Sequence, residues 1–159
     1  MSPGLVRIRE AVVDDLDVIV ANNVAMAMES EGKSLDDAVV RRGVHRLLLD
    51  PQRGRYLVAV DDDSAGGSGV VGQLMLTREW SDWRDGWWWW IQSVYVRPSW
   101  RRRGVYRTLH ERVVDEARAA VEVCGLRLYV EPDNVGARAT YGQQGMIESY
   151  RVMEWPRST

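Results

Sequence analysis

The residues best suited to chemistry lie in VYVRPSWRRRGVYRTL, residues 94–109. A β-type pattern ends at Val96, and Arg101-x-x-Gly104 then leads straight into a helical pattern. A helix start presents unpaired backbone N–H groups and a partial positive charge, which suit an anion. Gly104 permits close backbone approach, and Arg101, Arg102 and Arg103 add charge and bidentate donors. This is the pattern of a phosphate-type anion site at a strand-turn-helix junction. A solvated arginine cluster is the plainer alternative, and residue types alone leave both open.

Two other glycine patterns fail. Gly67-x-Gly69-x-x-Gly72 matches the dinucleotide fingerprint in form, but an extended apolar strand follows it where the fingerprint needs a helix. Gly32-Lys33-Ser34 mimics part of a phosphate-binding loop, yet Ala27 stands where the earlier glycine is required. His45 and His110 fall on helical patterns without a visible catalytic partner. The single cysteine, Cys124, excludes an internal disulfide and a zinc site built on cysteines, and reads as a small core residue. No metal site is expected.

At 159 residues the chain reads as one domain, 1–159, with enough apolar sequence for a sizeable core. A formal net charge of -2 argues against a dedicated nucleic-acid binder. Charges interrupt the first twenty residues, so no secretory core is seen there. No stretch approaches the roughly 18 apolar residues of a membrane span. The expected location is the cytoplasm, without membrane contact.

The elements that must position the arginine turn follow from periodicity. Val6 to Arg9 alternates as a short strand, and Asp14 and Asp15 cap a helix that Gly32 stops. Ser34 is the expected cap of a second helix ending at Pro51. RYLVAV and VVGQLMLTREW read as strands, and SDWRDG as the turn into a third, WWWWIQSVYV. Val105, Leu109, Val113, Ala117 and Val121 define a helix ending at Gly125. LRLYVE is a strand, VGARATYGQQ a short helix, and IESYRVMEW a last strand. The order β-α-α-β-β-β-α-β-α-β gives an α/β (α+β) fold with a mixed sheet and helices on both faces.

These residues carry a resemblance. VYVRPSWRRRGVYRTL resembles motif A of the GNAT acetyltransferases, in which Arg-x-x-Gly-x-Gly/Ala opens a helix; Tyr106 replaces the last small residue. About forty residues on, EPDNVGARATYGQQGM resembles motif B, with Asn134, Ala137, Tyr141 and Gly145 at the family's spacing. The resemblance covers essentially the whole chain. It implies the GNAT acyltransferase fold, a mixed, mostly antiparallel sheet of six to seven strands flanked by four helices.

The resemblance also implies acetyl-CoA as cosubstrate and transfer of its acetyl group to a primary amine of a small molecule or peptide by direct attack. The cofactor would be held by Val94, Tyr95 and Val96 along the strand, by Arg101, Arg102, Arg103, Gly104, Val105, Tyr106 and Arg107 at the turn, and by Asn134, Ala137 and Tyr141 of motif B. A backbone N–H near Val94 would polarise the thioester carbonyl. Tyr141 matches the family's general acid. A phenol near 10 protonating a thiolate near 8.5 is uphill by about 2 kcal/mol, so a strong hydrogen bond to the departing sulfur is the form that role would take. The acidic base found on the central strand of some members is missing, because Gln92 and Ser93 stand there.

Four consecutive tryptophans, Trp87 to Trp90, begin that strand in a chain without phenylalanine. Alternate rings face opposite sides of the sheet, so at least two are expected to cover the core. In the family this end of the strand lies toward the acceptor. Trp80, Trp83, Trp88, Trp90 and Gln92 are therefore acceptor-side candidates, and an indole face would favour a cationic amine. A primary amine near 10.4 is almost wholly protonated at neutral pH, and Glu29, Glu31 and Glu79 are candidates to relieve it. Two other readings compete: a GNAT-fold module that binds CoA without catalysis, and RNA binding through the arginine and tryptophan cluster. A homodimer is left open.

Overall fold

The computed structural model describes residues 6–64 and 67–157. In chain order the elements are β1 (Arg7–Glu10), α1 (Leu16–Glu31), α2 (Asp37–Leu49), β2 (Arg55–Val60), β3 (Val70–Ser81), β4 (Gly86–Val96), α3 (Val105–Ala119), β5 (Val123–Leu128) and α4 (Val135–Gln143). The chain gathers into two compact units, one ending at Leu128 and one beginning at Tyr129.

The first unit is a sheet in the order β1-β2-β3-β4-β5, antiparallel except for the parallel β4–β5 pair. Strand alternation sends its side chains two ways. Leu57, Ala59, Leu74, Leu76 and Ile91 form one core with Val105, Leu109 and Val113 of α3. Tyr56, Val58, Val60 and Val70 form a second with Ile19 and Val20 of α1 and Val44 and Leu47 of α2. The sheet thus has helices on both faces, as the element order predicts.

Several boundaries differ from the periodic reading. Gly32 ends α1 in the left-handed region (φ 61°), as expected of a glycine stop. The cap of α2 is Asp36 rather than Ser34, since its carboxylate accepts from the amides of Ala38 and Val39. Helix α3 ends at Ala119, not at Gly125. Gly125 lies inside β5, where a Cβ would overlap the ring of Trp88, so this glycine makes room for an indole. Cys124 accordingly lies on β5 and is half-buried.

The expected six to seven strands are five among the described residues. The missing one is IESYRVMEW: residues 146–157 form no hydrogen-bonded ladder. Alternation marks which residues could share a face, but a strand exists only where another strand pairs with it. The second unit contains α4 alone as a regular element.

Asp15 shows a second departure. It does not cap α1 with its side chain. It accepts from the amide of Val12 (2.9 Å) and takes a bidentate ion pair from Arg9 (2.7 and 2.9 Å). Burial pushes this carboxyl upward, but the Arg9 and Val12 hydrogen bonds and the Arg9 charge outweigh it, so its pKa lies below the ordinary value. A depressed carboxyl stabilises the fold fully above its unfolded pKa, and that stability is lost as pH falls through the folded value. Asp15→Ala is expected to cost about 1.5–3 kcal/mol at pH 7 and progressively less below about pH 4, measured by urea unfolding across pH.

Candidate functional site

The site begins where the β3–β4 ladder breaks. Met75 faces Gln92 and Gln73 faces Tyr95, so Ser93 and Val94 together oppose Leu74 alone. This is a β-bulge, and Ser93 takes a left-handed backbone (φ 49°) to make it. On the opposite side β4 pairs with β5 only from Trp87 to Ile91. On the β3 side its pairing continues to Val96. Val94, Tyr95 and Val96 therefore form the stretch of β4 that follows the end of the parallel ladder.

A buried polar network fixes the bulge from behind. The Gln73 amide is fully buried; its Nε2 donates to Asn23 Oδ1 (2.9 Å) and to the Ser93 carbonyl (3.4 Å). Its Oε1 accepts from Asn22 Nδ2 (2.9 Å), and Asn23 Nδ2 donates to the Tyr56 hydroxyl (3.0 Å). Burial is the leading cause that raises the pKa of Tyr56, so the phenol keeps its proton. The periodic reading passed over Asn22, Asn23, Gln73 and Tyr56. A signal was present: two asparagines in VIVANNVAMAM and one glutamine in VVGQLML are polar residues in otherwise buried runs. Gln73→Leu would take the acceptor from Asn22 Nδ2 and the donor from Asn23 Oδ1, and release the Ser93 carbonyl. It is expected to destabilise the chain by about 1–3 kcal/mol in urea unfolding.

Beyond Val96, a short 3-10 turn (Pro98–Trp100) leads to the arginine run. Arg101 is committed on two sides: its Nε donates to the Val96 carbonyl (2.9 Å), and its Nη2 pairs with Glu29 at 2.5 Å. The Tyr95 hydroxyl donates to the same carboxylate (3.2 Å). Burial and the Glu29 carboxylate both push the Tyr95 phenol upward. Arg102 (φ 63°) and Gly104 (φ 81°) take left-handed backbones, and Gly104 is the residue from which α3 starts. The amides of Val105, Tyr106 and Arg107 belong to the first turn and lack carbonyls a turn earlier. Arg102, Arg103 and Arg107 form no ion pair among the described residues, so their charge is not neutralised locally. The Tyr106 ring packs beside His110, one turn further along α3, at 5.9 Å between centroids. The turn can hold an anion with backbone N–H groups and arginine charge together.

The acceptor-side candidates divide into separate groups. Glu29 stands with Tyr95 and Arg101 at the turn. Glu31 pairs with Lys33 at the exposed end of α1. Glu79 accepts from Trp90 Nε1 (3.0 Å) and from Arg127 (2.6 Å), and beside them Gln92 donates to Thr77 (2.5 Å). Trp80 stacks edge-on against Trp87 (4.9 Å), and Trp83 is almost wholly exposed in the hairpin turn. Of the four consecutive tryptophans, Trp89 packs against the α3 core. Trp88 carries the guanidinium of Arg127 on its ring at 4.0 Å.

In the second unit, Asn134 caps α4 by accepting from the amide of Ala137 (3.0 Å). That bond accounts locally for two of the four motif B residues, Asn134 and Ala137. Tyr141 sits in the last turns of α4, and burial raises the pKa of its phenol. No group of metal-ligating side chains occurs among the described residues. No helix among them is long and apolar enough to cross a membrane.

The profile of the Acetyltransferase (GNAT) family matches residues 21–146. Among solved structures, the chain is similar to a possible acetyltransferase of Clostridium difficile 630, with 43% identity, 98% of this chain and 99% of that one covered, and a TM-score of 0.88. It also shares its fold with a predicted acetyltransferase of Clostridium acetobutylicum solved with acetyl-CoA, at 16% identity, 96% coverage of both chains and a TM-score of 0.74. No curated protein matches it.

Proposed function

The chain belongs to the GNAT acetyltransferase family, and on that premise we propose that it is an acetyl-CoA-dependent N-acetyltransferase acting on a primary amine. The observation that carries this reading is the left-handed Gly104 at the start of α3, flanked by Arg102, Arg103 and Arg107, which form no ion pair among the described residues. Such a turn suits a pyrophosphate. The amides of residues 101–107 would bind it, while Arg102, Arg103 and Arg107 supply charge.

Val94 to Val96 would take the pantetheine arm along the strand, and the bulge would present a backbone N–H near Val94 to the thioester carbonyl. A neutral amine attacks that carbonyl carbon, the C–N bond forms as the C–S bond breaks, and the sulfur leaves with the electron pair. The nitrogen gives up one proton to water as the amide forms, and Tyr141, by its place in motif B, would donate a hydrogen bond and a proton to the sulfur and recover a proton from solvent. A raised phenol pKa suits a donor that stays protonated until the sulfur bears charge. Gln73 is a positioning residue in this scheme, because it holds the Ser93 carbonyl. Gln73→Leu should lower kcat by about 10- to 100-fold and leave acetyl-CoA affinity within twofold.

Calorimetric titration of the purified protein with acetyl-CoA tests the reading. Micromolar binding with one site per chain is expected. No binding up to millimolar would remove the cofactor site and the enzyme assignment with it.

A further inference from the structure

Of Arg101, Arg102, Arg103 and Arg107, only Arg101 pairs with a carboxylate among the described residues, and that carboxylate belongs to α1. Glu29 stands in the last turn of that helix and is shared between two donors. Its Oε1 accepts from the Tyr95 hydroxyl (3.2 Å), and its Oε2 accepts from Arg101 Nη2 (2.5 Å). Arg101 is aimed at it from both ends. Its Nε donates to the Val96 carbonyl (2.9 Å), and its guanidinium lies 5.5 Å from the centre of the Tyr95 ring. The three side chains come from α1, β4 and the arginine turn, so the cluster ties the end of α1 to the anion site.

This pair differs in kind from the structural one at Asp15. The Asp15 side chain is 4% exposed and its pairing with Arg9 is bidentate. Glu29 and Arg101 are each 43% exposed and share a single hydrogen bond. An exposed pair of that sort adds little to stability, so a stronger anion can take its cation. A pyrophosphate carries more charge than a carboxylate and can accept two parallel N–H···O bonds from one guanidinium. Tyr95 meanwhile keeps the other carboxylate oxygen, so departure of Arg101 leaves Glu29 with a partner. The carboxylate itself opposes the cofactor twice: it occupies Arg101, and its charge repels the phosphates.

We infer that Glu29 is a latch on Arg101, a positioning residue that holds the guanidinium until the pyrophosphate of acetyl-CoA takes it over and frees the end of α1 from the turn. The inference rests on the cofactor site proposed above. Exchange of partners has a signature that charge repulsion alone lacks. When Arg101 must leave Glu29 to reach the phosphates, part of its gain there is offset by the pair it gives up. Without Glu29 that offset vanishes, and Arg101 contributes more to binding.

The test is calorimetric titration with acetyl-CoA of the wild-type chain, Glu29→Gln, Arg101→Met and the double variant, with circular dichroism checking each fold. Glu29→Gln should tighten binding by about 3- to 10-fold. Arg101→Met should weaken it by about threefold in the wild-type background and by about tenfold or more in the Glu29→Gln background. Loss of the Val96 hydrogen bond and of the Tyr95 stacking is common to both backgrounds and cancels in the cycle. Unchanged or weaker binding by a folded Glu29→Gln chain would overturn the latch and leave the cofactor site standing. Equal losses from Arg101→Met in the two backgrounds would do the same, since Glu29 would then act through its charge alone. Failure of the wild-type chain to bind acetyl-CoA up to millimolar would overturn both.

Discussion

Gly104→Trp is expected to weaken acetyl-CoA binding by about 100-fold or more while leaving the chain folded. Gly104 sits at φ 81°, a conformation that costs an L-residue roughly 1–2 kcal/mol. Even a Cβ there would lie 3.3 Å from the Arg107 guanidinium, so a larger side chain must displace Arg107 or turn the backbone. Either response redirects the first amides of α3 away from a bound pyrophosphate. Loss of two charge-assisted hydrogen bonds at about 1.5 kcal/mol each already accounts for a 100-fold change. Gly104 lies at the surface end of the helix and outside both cores, so the melting temperature should fall by only a few degrees. Calorimetry with acetyl-CoA reads the affinity, and circular dichroism confirms the fold. Unchanged affinity would show that the arginine turn does not hold the cofactor.

The second large effect is on the chemical step. Tyr141→Phe removes one hydroxyl and keeps the ring, so α4 should form as before. If Tyr141 stabilises the departing sulfur, kcat should fall by about 10²- to 10⁴-fold. Acetyl-CoA affinity and the amine KM should stay within a few-fold, because the interaction strengthens only as the C–S bond breaks. With wild-type protein, kcat/KM should rise with pH through the neutral range as the free amine deprotonates, with no fall from loss of the Tyr141 proton, because burial raises the pKa of that phenol. Equal kcat in the variant would assign Tyr141 to packing alone.

The sequence made different parts of this arrangement legible for different physical reasons. The arginine turn could be read because a change of period, from two to nearly four residues, coincides with a glycine. That coincidence marks the start of α3 directly. Gly32 could be read as a helix stop for the same kind of reason. Gly125 could not, because its role depends on the Trp88 ring of a neighbouring strand. The alternation in 147–155 suggests a last strand but says nothing about a pairing partner, and residues 146–157 form no ladder.

The bulge was equally hidden. Ser93 and Val94 oppose a single residue of β3, and only the register of two strands reveals that. The acidic candidates show the limit most clearly. Glu29, Glu31 and Glu79 carry charge near the right elements, but each is held by a cation: Glu31 by its near neighbour Lys33, and Glu29 and Glu79 by arginines 72 and 48 residues away, which sequence distance does not predict. The two asparagines and the glutamine that brace the bulge were visible as polar residues in apolar runs, but their common purpose emerges only when α1, β3 and β4 come together.

The most direct measurement is mass spectrometry of reactions containing the purified protein, acetyl-CoA and a panel of primary amines, with thiol release followed in parallel. The account predicts one N-acetylated amine formed for each free CoA thiol, at a rate that Tyr141→Phe lowers by about 10²-fold or more. Thiol release without an acetylated amine, or no release with any primary amine despite tight acetyl-CoA binding, would contradict it.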